Sequence, residues 1–427
     1  MHKKVAIIGA GPSGLALAKQ LVDRNIEFVI YERDSGLGGV WNCDNEHSVM
    51  YDSAHTISSK TMTQFSEFPM PGQFSEYISH RKMLQYLQSY AEQFDLLKYI
   101  HFSCSIKNIV KTARGNYQVT LDSSPGIEEI YEFEHVAIAT GHASKANVPD
   151  ISLDNFEGDV FHSAQYKEPS IFKDKNVLVI GAGNSGCDIA CEAIITAKNV
   201  TLSIRRGYYF IPKFVLGMPA DVFGETSVKL RLPMRLRQFV NQVILRLFQG
   251  NIQKIGFPKP DHRIFESHPI VNELLVYYVR HGDIDIADDV KDVLARSVIM
   301  KNGKKVNVDT ILFATGYKPD FDFLEESLRP NASRLHLNLF SKKHFGLSFL
   351  GLLDPNGGIL GVIERQAIAV ASAIALNLNK NEYASVVIKQ VALNGGIDYI
   401  KSSRHEYEVD LATYQREIGR QIMQFRR

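Results

Sequence analysis

Two stretches of the chain repeat one pattern: a short unbroken apolar run, a glycine-rich turn, then apolar residues at helical spacing. The first is VAIIGAGPSG at 5–14, followed by a helix over 15–23; the second is VLVIGAGNSG at 177–186. Apolar runs of four residues bounded by glycine predict strands buried on both faces of a parallel sheet. Each stretch has a later partner ending in Ala-Thr-Gly: HVAIATG, reaching Thr140 and Gly141, and VDTILFATG, reaching Gly316. Between the first pair, Met83, Leu84, Leu87, Tyr90, Ala91 and Phe94 predict a helix over 79–97. Alternating strands near 106–110, 117–121 and 130–133 follow, broken by Gly115-Asn116 and Pro125-Gly126 turns, and predict a small antiparallel crossover. The polar and aromatic segment 51–74 reads as an irregular loop crossing the top of the sheet.

The glycines bring in chemistry. Gly9, Gly11 and Gly14 form G-x-G-x-x-G around Pro12 and Ser13; Gly181, Gly183 and Gly186 do the same around Asn184 and Ser185. The first glycine permits a tight turn, the second lets the backbone approach a pyrophosphate, and the third lets the helix pack on the strand. The helix N-terminus then presents its N–H groups to the phosphates. The strand after the first turn ends at Glu32, 18 residues beyond Gly14, where a carboxylate accepts both ribose hydroxyls of an adenosine. At nearly the same interval after the second turn stand Arg205 and Arg206, which suit a ribose 2′-phosphate. The expected cofactors are FAD in the first unit and NADPH in the second. In GLGGVWN, Gly39, Val40 and Trp41 suggest backbone passing close to a flat ligand with an aromatic wall. A helix starting near Glu364 is expected to aim its positive end at the flavin pyrimidine ring, with Gln366 as the contact.

The expected fold is α/β, with two Rossmann-like dinucleotide-binding domains, the NADPH domain inserted into the FAD domain. Each is a parallel sheet with a small antiparallel crossover. The FAD domain spans 1–145 and 310–427, a connector 146–175, and the NADPH domain 176–309, with a helical insertion at about 214–285. Net charge is +1, giving no electrostatic case for nucleic acid. No apolar run approaches the roughly 18–20 residues of a membrane span, and the opening MHKKVAIIGAG leaves no room for a signal peptide. Cys43, Cys104, Cys187 and Cys191 form no C-x-x-C, so no metal site is expected and the reading is cytoplasmic. The helix MRLRQFVNQVILRLF at 234–248 is basic and amphipathic; an ordinary packed helix is the first reading, with a membrane surface or a homodimer contact as alternatives.

Phe156, Gly158, His162 and Tyr166 stand as F-x-G-x-x-x-H-x-x-x-Y between the two glycine turns. With FATGY at 313–317, GGVW at 38–41 and RRGYYFIPK at 205–213, this resembles the flavin-containing monooxygenases, class B flavoprotein monooxygenases, over nearly the whole chain. The resemblance implies hydride transfer from NADPH to FAD, a flavin 4a-hydroperoxide formed with O2, and oxygenation of an amine or sulfide in a small lipophilic substrate. Tyr166 stands where a Baeyer–Villiger enzyme acting on a ketone would be expected to show Trp. An NADPH oxidase or disulfide-reductase-like flavoprotein is a further alternative, though the latter lacks its cysteine pair, and a non-catalytic binding fold is another. In the loop corresponding to 51–68 the resemblance places Ile57 where the family usually has an asparagine near the flavin. Thr56, Ser58 or Ser59 would have to substitute. Candidate catalytic residues are therefore Ser58, Ser59, His162 and Tyr166, with His162 read chiefly as a connector residue.

Overall fold

A computed structural model describes residues 4–124, 127–229, 232–268, 270–378, 380–387, 391–400 and 406–425; the Pro125-Gly126 turn lies outside them. The chain divides into two compact units, one of residues 1–48, 58–144 and 319–427, the other of residues 49–57 and 145–318.

In the first unit seven strands run in the order Leu335–His336, Phe340–Ser341, Leu347–Phe349, His135–Ile138, Val5–Ile8, Phe28–Tyr31, Ile100–His101. From Leu347–Phe349 onward every pairing is parallel. Side chains alternate across a strand, so Val5 and Ile7 enter one core while Ala6 and Ile8 enter another. The first core is closed by the helices Pro12–Val22, His80–Gln93 and Leu360–Ala375. The second is closed by an antiparallel sheet of Ser105–Lys111, Tyr117–Ser124 and Ile127–Phe133, through Ile109, Tyr117, Val119 and Phe133.

The second unit repeats this plan. Its five strands, all parallel, run Ile284–Ala287, Asn199–Ser203, Asn176–Ile180, Thr310–Phe313, Asp159–His162. Val177 and Val179 pack with the helices Asn184–Ala193 and Leu274–His281; Leu178 and Ile180 pack toward Val293, Val298 and Met300 of a second antiparallel sheet. Each unit is therefore three layers: helices, a parallel sheet and an antiparallel crossover. Cys187 and Cys191 are core residues of this unit, and burial pushes both thiols up.

Three boundaries differ from the sequence expectation. Residues 49–57, read as part of a loop of the first domain, belong to the second unit, where Tyr51 and Ala54 are core and Lys167 donates to the Met50 carbonyl at 2.9 Å. The connector is no linker, since Asp159–His162 pairs in register with Thr310–Phe313 as an edge strand. The strand at 310, expected to open the return to the FAD domain, pairs with Val177–Ile180, and the chain re-enters the first unit at 319. Segments this short carry too few residues for a hydrophobic period to declare which sheet they join.

Candidate functional site

The two glycine turns are close copies. Gly9 and Gly181 sit at φ 108 and 107, a left-handed conformation that L side chains avoid. A Cβ on Gly14 would lie 2.0 Å from the Gly9 carbonyl oxygen, and one on Gly186 2.0 Å from that of Gly181, so only glycine lets each helix start this close to its strand. The middle glycines are different: a Cβ on Gly183 would meet nothing within 4 Å, and one on Gly11 nothing nearer than the Gly39 Cα at 3.8 Å. At these two positions glycine answers no demand of the protein's own packing. That is what a turn shaped around an outside ligand requires. Backbone amides at the first turn of each helix have no intrahelical acceptor. Ser13 and Gly14 offer theirs in the first cradle, Pro12 having none; Asn184, Ser185 and Gly186 offer theirs in the second. The Asn184 side chain is committed elsewhere, accepting the Val271 N–H at 2.8 Å.

Glu32 closes the first cradle. Its carboxylate accepts the Ala10 N–H at 2.6 Å and the Asp34 N–H at 3.0 Å, and burial pushes its carboxyl up while these two donors oppose that shift. The loop carrying Gly39, Val40 and Trp41 is pinned to the same turn: Gly38 donates to the Ala10 carbonyl at 3.0 Å, and a Cβ on Gly39 would lie 3.3 Å from the Gly11 Cα. Gly9, Gly11, Pro12, Ser13, Gly14, Glu32 and Gly39 thus share one cradle, with Val40 and Trp41 beside it. Thr140, not among the residues expected from sequence, joins them. Its backbone N would lie 3.5 Å from a Gly9 Cβ, and its Oγ1 is buried with no partner among the described residues. The equivalent Thr315 Oγ1 donates to the Asn147 carbonyl at 2.6 Å. The shared Ala-Thr-Gly ending was the available signal.

In the second unit the two arginines part. Arg206 is bound to Asp261, whereas Arg205 is exposed and makes no hydrogen bond or ion pair among the described residues.

Other candidates lie elsewhere. Gln366 is fully buried inside the Leu360–Ala375 helix, its Oε1 accepting the Gly351 N–H at 2.8 Å and its Nε2 donating to the Tyr414 hydroxyl at 2.7 Å. It is a brace of the core. The helix begins at Leu360 rather than near Glu364, so the free N–H groups belong to its first residues. Tyr166 is fully buried, stacked on Phe172, and donates to Glu192 at 2.5 Å; burial holds its hydroxyl far above the ordinary range. It is a core residue whose hydroxyl is spent on Glu192. His162 ends the edge strand, buried edge-on against Tyr317, its Nδ1 accepting the Ala164 N–H at 3.2 Å. Burial lowers its pKa, so it stays neutral near pH 7. Gly158 admits the strand where a Cβ would lie 2.3 Å from the Asp309 carbonyl oxygen. The whole connector motif builds an edge strand and its anchor. Ser58 hydrogen-bonds Thr63 at 2.5 Å and Ser59 hydrogen-bonds Thr61 at 3.2 Å, at the start of the short helix Lys60–Thr63.

A family model described as flavin-binding monooxygenase-like matches residues 2–422. The chain is 31% identical over 443 residues to flavin-containing monooxygenase 5 of Homo sapiens, covering 98% of this chain and 82% of that one. It is 35% identical over 391 residues to flavin-containing monooxygenase 2 of Homo sapiens, covering 86% and 72%. Among solved structures, Tmm from Pelagibacter sp. strain HTCC7211 superposes with a TM-score of 0.69 at 18% identity, covering 99% of this chain and 89% of that one. The S-allyl-L-cysteine S-oxygenase from Allium sativum gives 0.68 at 19% identity over the same shares. These likenesses show the two-unit fold.

Proposed function

The chain belongs to the flavin-containing monooxygenase family, and on that premise we propose that it passes one oxygen atom of O2 to a nitrogen or sulfur of a small lipophilic substrate. It is an FAD- and NADPH-dependent monooxygenase. The assignment of FAD to the first unit and NADPH to the second rests on one observation. Two glycine turns of matching backbone are closed by opposite charges, Glu32 in one and Arg205 in the other.

Bound FAD supplies the two-electron chemistry, taking hydride from NADPH and, once reduced, activating dioxygen. In the first cradle the Ser13 and Gly14 amides would hold a pyrophosphate, and Glu32 would accept hydroxyls of the adenosine ribose. Thr140 Oγ1, buried and without a partner among the described residues, would serve the same ligand. Val40 and Trp41 would wall the flat ring and help keep water from it. In the second cradle the Asn184, Ser185 and Gly186 amides receive the pyrophosphate of the nicotinamide cofactor, and Arg205 pairs with its 2′-phosphate. The balanced reaction is substrate + O2 + NADPH + H+ giving the oxygenated substrate, NADP+ and water. Cys43, Cys104, Cys187 and Cys191 form no disulfide, and the reading of a reducing compartment such as the cytoplasm is retained on that ground.

The test supplies 18O2 and NADPH to the FAD-loaded protein with N,N-dimethylaniline, methyl phenyl sulfide or cyclohexanone. One 18O per NADPH in an N-oxide or sulfoxide is the expected result. Label in a lactone instead would move the substrate class to ketones, and hydrogen peroxide as the sole oxygen product with all three would overturn oxygen transfer.

A further inference from the structure

Residues 270–272 tie together the two places where the second unit is read as meeting a nucleotide. On one side they reach the segment that begins at Arg205. Ile270–Val271 pairs in parallel register with Phe210–Ile211, and the Ile270 N–H donates to the Tyr209 carbonyl at 3.1 Å. On the other side they reach the helix Asn184–Ala193, whose first amides form the cradle. The Val271 N–H donates to the Asn184 side chain at 2.8 Å, and Asn272 Nδ2 donates to Asp188 Oδ1 at 2.7 Å.

Asn272 is the hub of this strap. It is buried, and its side-chain oxygen accepts the Leu275 N–H at 2.8 Å in the first turn of the helix Leu274–His281. Both ends of the amide are therefore spent, one on each helix. Asp188 is itself held in place, because Tyr51, a core residue of the same unit, donates to its Oδ2 at 2.9 Å. Burial pushes the Asp188 carboxyl up while the Tyr51 and Asn272 donors oppose that shift, so both bonds favour the ionised acceptor.

A dinucleotide has a fixed span from its pyrophosphate to the 2′ position of its adenosine. Reading a 2′-phosphate therefore needs a set separation between the amides of 184–186 and the guanidinium of Arg205. Arg205 stands past the end of the strand Asn199–Ser203, where the sheet's ladder no longer fixes it. The strap supplies what the ladder does not. A charged contact that must first be ordered loses much of its worth.

We propose that Asn272 is a positioning residue for nucleotide choice. Through Asp188, and through the strand Ile270–Val271 that precedes it, Asn272 holds the Arg205 segment where a 2′-phosphate on the cradled pyrophosphate is met. This role rests on the assignment of the second cradle to NADPH and of Arg205 to its 2′-phosphate.

The experiment measures binding of NADP+ and of NAD+ to the full-length FAD-loaded protein by calorimetry, with thermal unfolding beside it. Asn272→Ser keeps an acceptor for the Leu275 N–H, but its shorter side chain no longer reaches Asp188. Asp188→Ala cuts the same link from the other end. Each should lower the preference for NADP+ over NAD+ at least about tenfold, the scale on which small misplacements of a charged contact act. NAD+ binding should change little. Added to Arg205→Ala, Asn272→Ser should cost nothing further, because both act through one contact. Asp188→Asn retains an acceptor for Asn272 and should keep the preference. Retention of the preference in both Asn272→Ser and Asp188→Ala, with Arg205→Ala losing it, overturns the role of Asn272 and leaves Arg205 as assigned. Equal weakening of both nucleotides in Asn272→Ser, or an effect that adds in full to that of Arg205→Ala, overturns it as well. A wild-type preference in Arg205→Ala would remove the assignment of Arg205, and the role of Asn272 with it.

Discussion

The guanidinium of Arg206 donates through one nitrogen to both carboxylate oxygens of Asp261, at 2.9 and 2.8 Å. Its neighbour Arg205 stands exposed with no partner among the described residues. Two adjacent arginines that look equivalent in sequence are therefore different reagents. Asp261, which also accepts from His262, is held below the usual carboxylate range first by that histidine and then by Arg206. It stays ionised near neutrality and keeps Arg206 occupied. Arg205 is the one of the two that the proposed reading gives to the 2′-phosphate.

Replacing Arg205 by Ala should raise the KM for NADPH by roughly 10- to 100-fold, the worth of one charge-assisted hydrogen bond. NADH should change little. Arg206→Ala should act mainly on stability, with similar effects on both nucleotides. Steady-state oxidation of NADPH and NADH by the two variants decides it; equal loss with both nucleotides in Arg205→Ala would mean the side chain does not read the 2′-phosphate.

The second glycine turn separates packing from binding. A Cβ on Gly186 would lie 2.0 Å from the Gly181 carbonyl oxygen, so Gly186→Ala should destabilise the second unit and lower soluble yield. A Cβ on Gly183 meets no protein atom within 4 Å, so Gly183→Ala should fold and keep its FAD. It should still weaken NADPH binding at least about tenfold by holding the pyrophosphate off the amides. Normal NADPH affinity in a well-folded Gly183→Ala protein would refute the second cradle.

Burial raises the Glu32 carboxyl, so on acidification it takes up a proton earlier than an ordinary glutamate. Ionised Glu32 is costly to bury, so its own contribution to folding falls as pH rises through that raised range. Contact with the ribose runs the other way, because it needs the carboxylate. FAD release, followed by flavin fluorescence, should therefore increase as pH falls through the same range. Glu32→Gln should bind FAD more weakly at every pH and lose that step. Superimposable pH profiles for the two proteins would remove Glu32 from the cofactor site.

Gln366→Leu should leave the buried Gly351 N–H without its acceptor, at roughly 1–3 kcal/mol, while the Tyr414 hydroxyl keeps its bond to the Leu337 carbonyl. Thermal unfolding should shift down accordingly. The flavin spectrum of the folded fraction should not move, since the side chain is spent on the core. In the same way Tyr166→Phe, which removes a hydroxyl bonded to Glu192, should lower stability and leave kcat unchanged. A spectral shift in the first variant, or a large fall in kcat in the second, would return these residues to the reaction.

Elements whose pattern is local were legible. The strands Val5–Ile8 and Asn176–Ile180, their glycine turns and the helices behind them follow from apolar runs and from positions where a Cβ cannot fit. The crossover strands follow from alternation and turn residues. Glu32 was found because its spacing from the turn is fixed by one helix and one strand. Where the chain depends on what lies across space, the reading failed. Gln366 looked like a ligand contact, but its partners Gly351 and Tyr414 are 15 and 48 residues away. The connector motif looked like a link between domains, yet its strand completes a sheet beside Thr310–Phe313.

By itself, then, the sequence determined the two dinucleotide cradles and the opposite charges that close them. Those are written in backbone conformation and short, regular spacings. Only the tertiary structure decided which arginine is free, which glutamine is buried and which face of the Met234–Gln249 helix meets the protein. A polar side chain's role is set by the partner that satisfies it, and such partners are brought together by packing. Apolar period alone gives a helix two faces and cannot say which of them is turned outward.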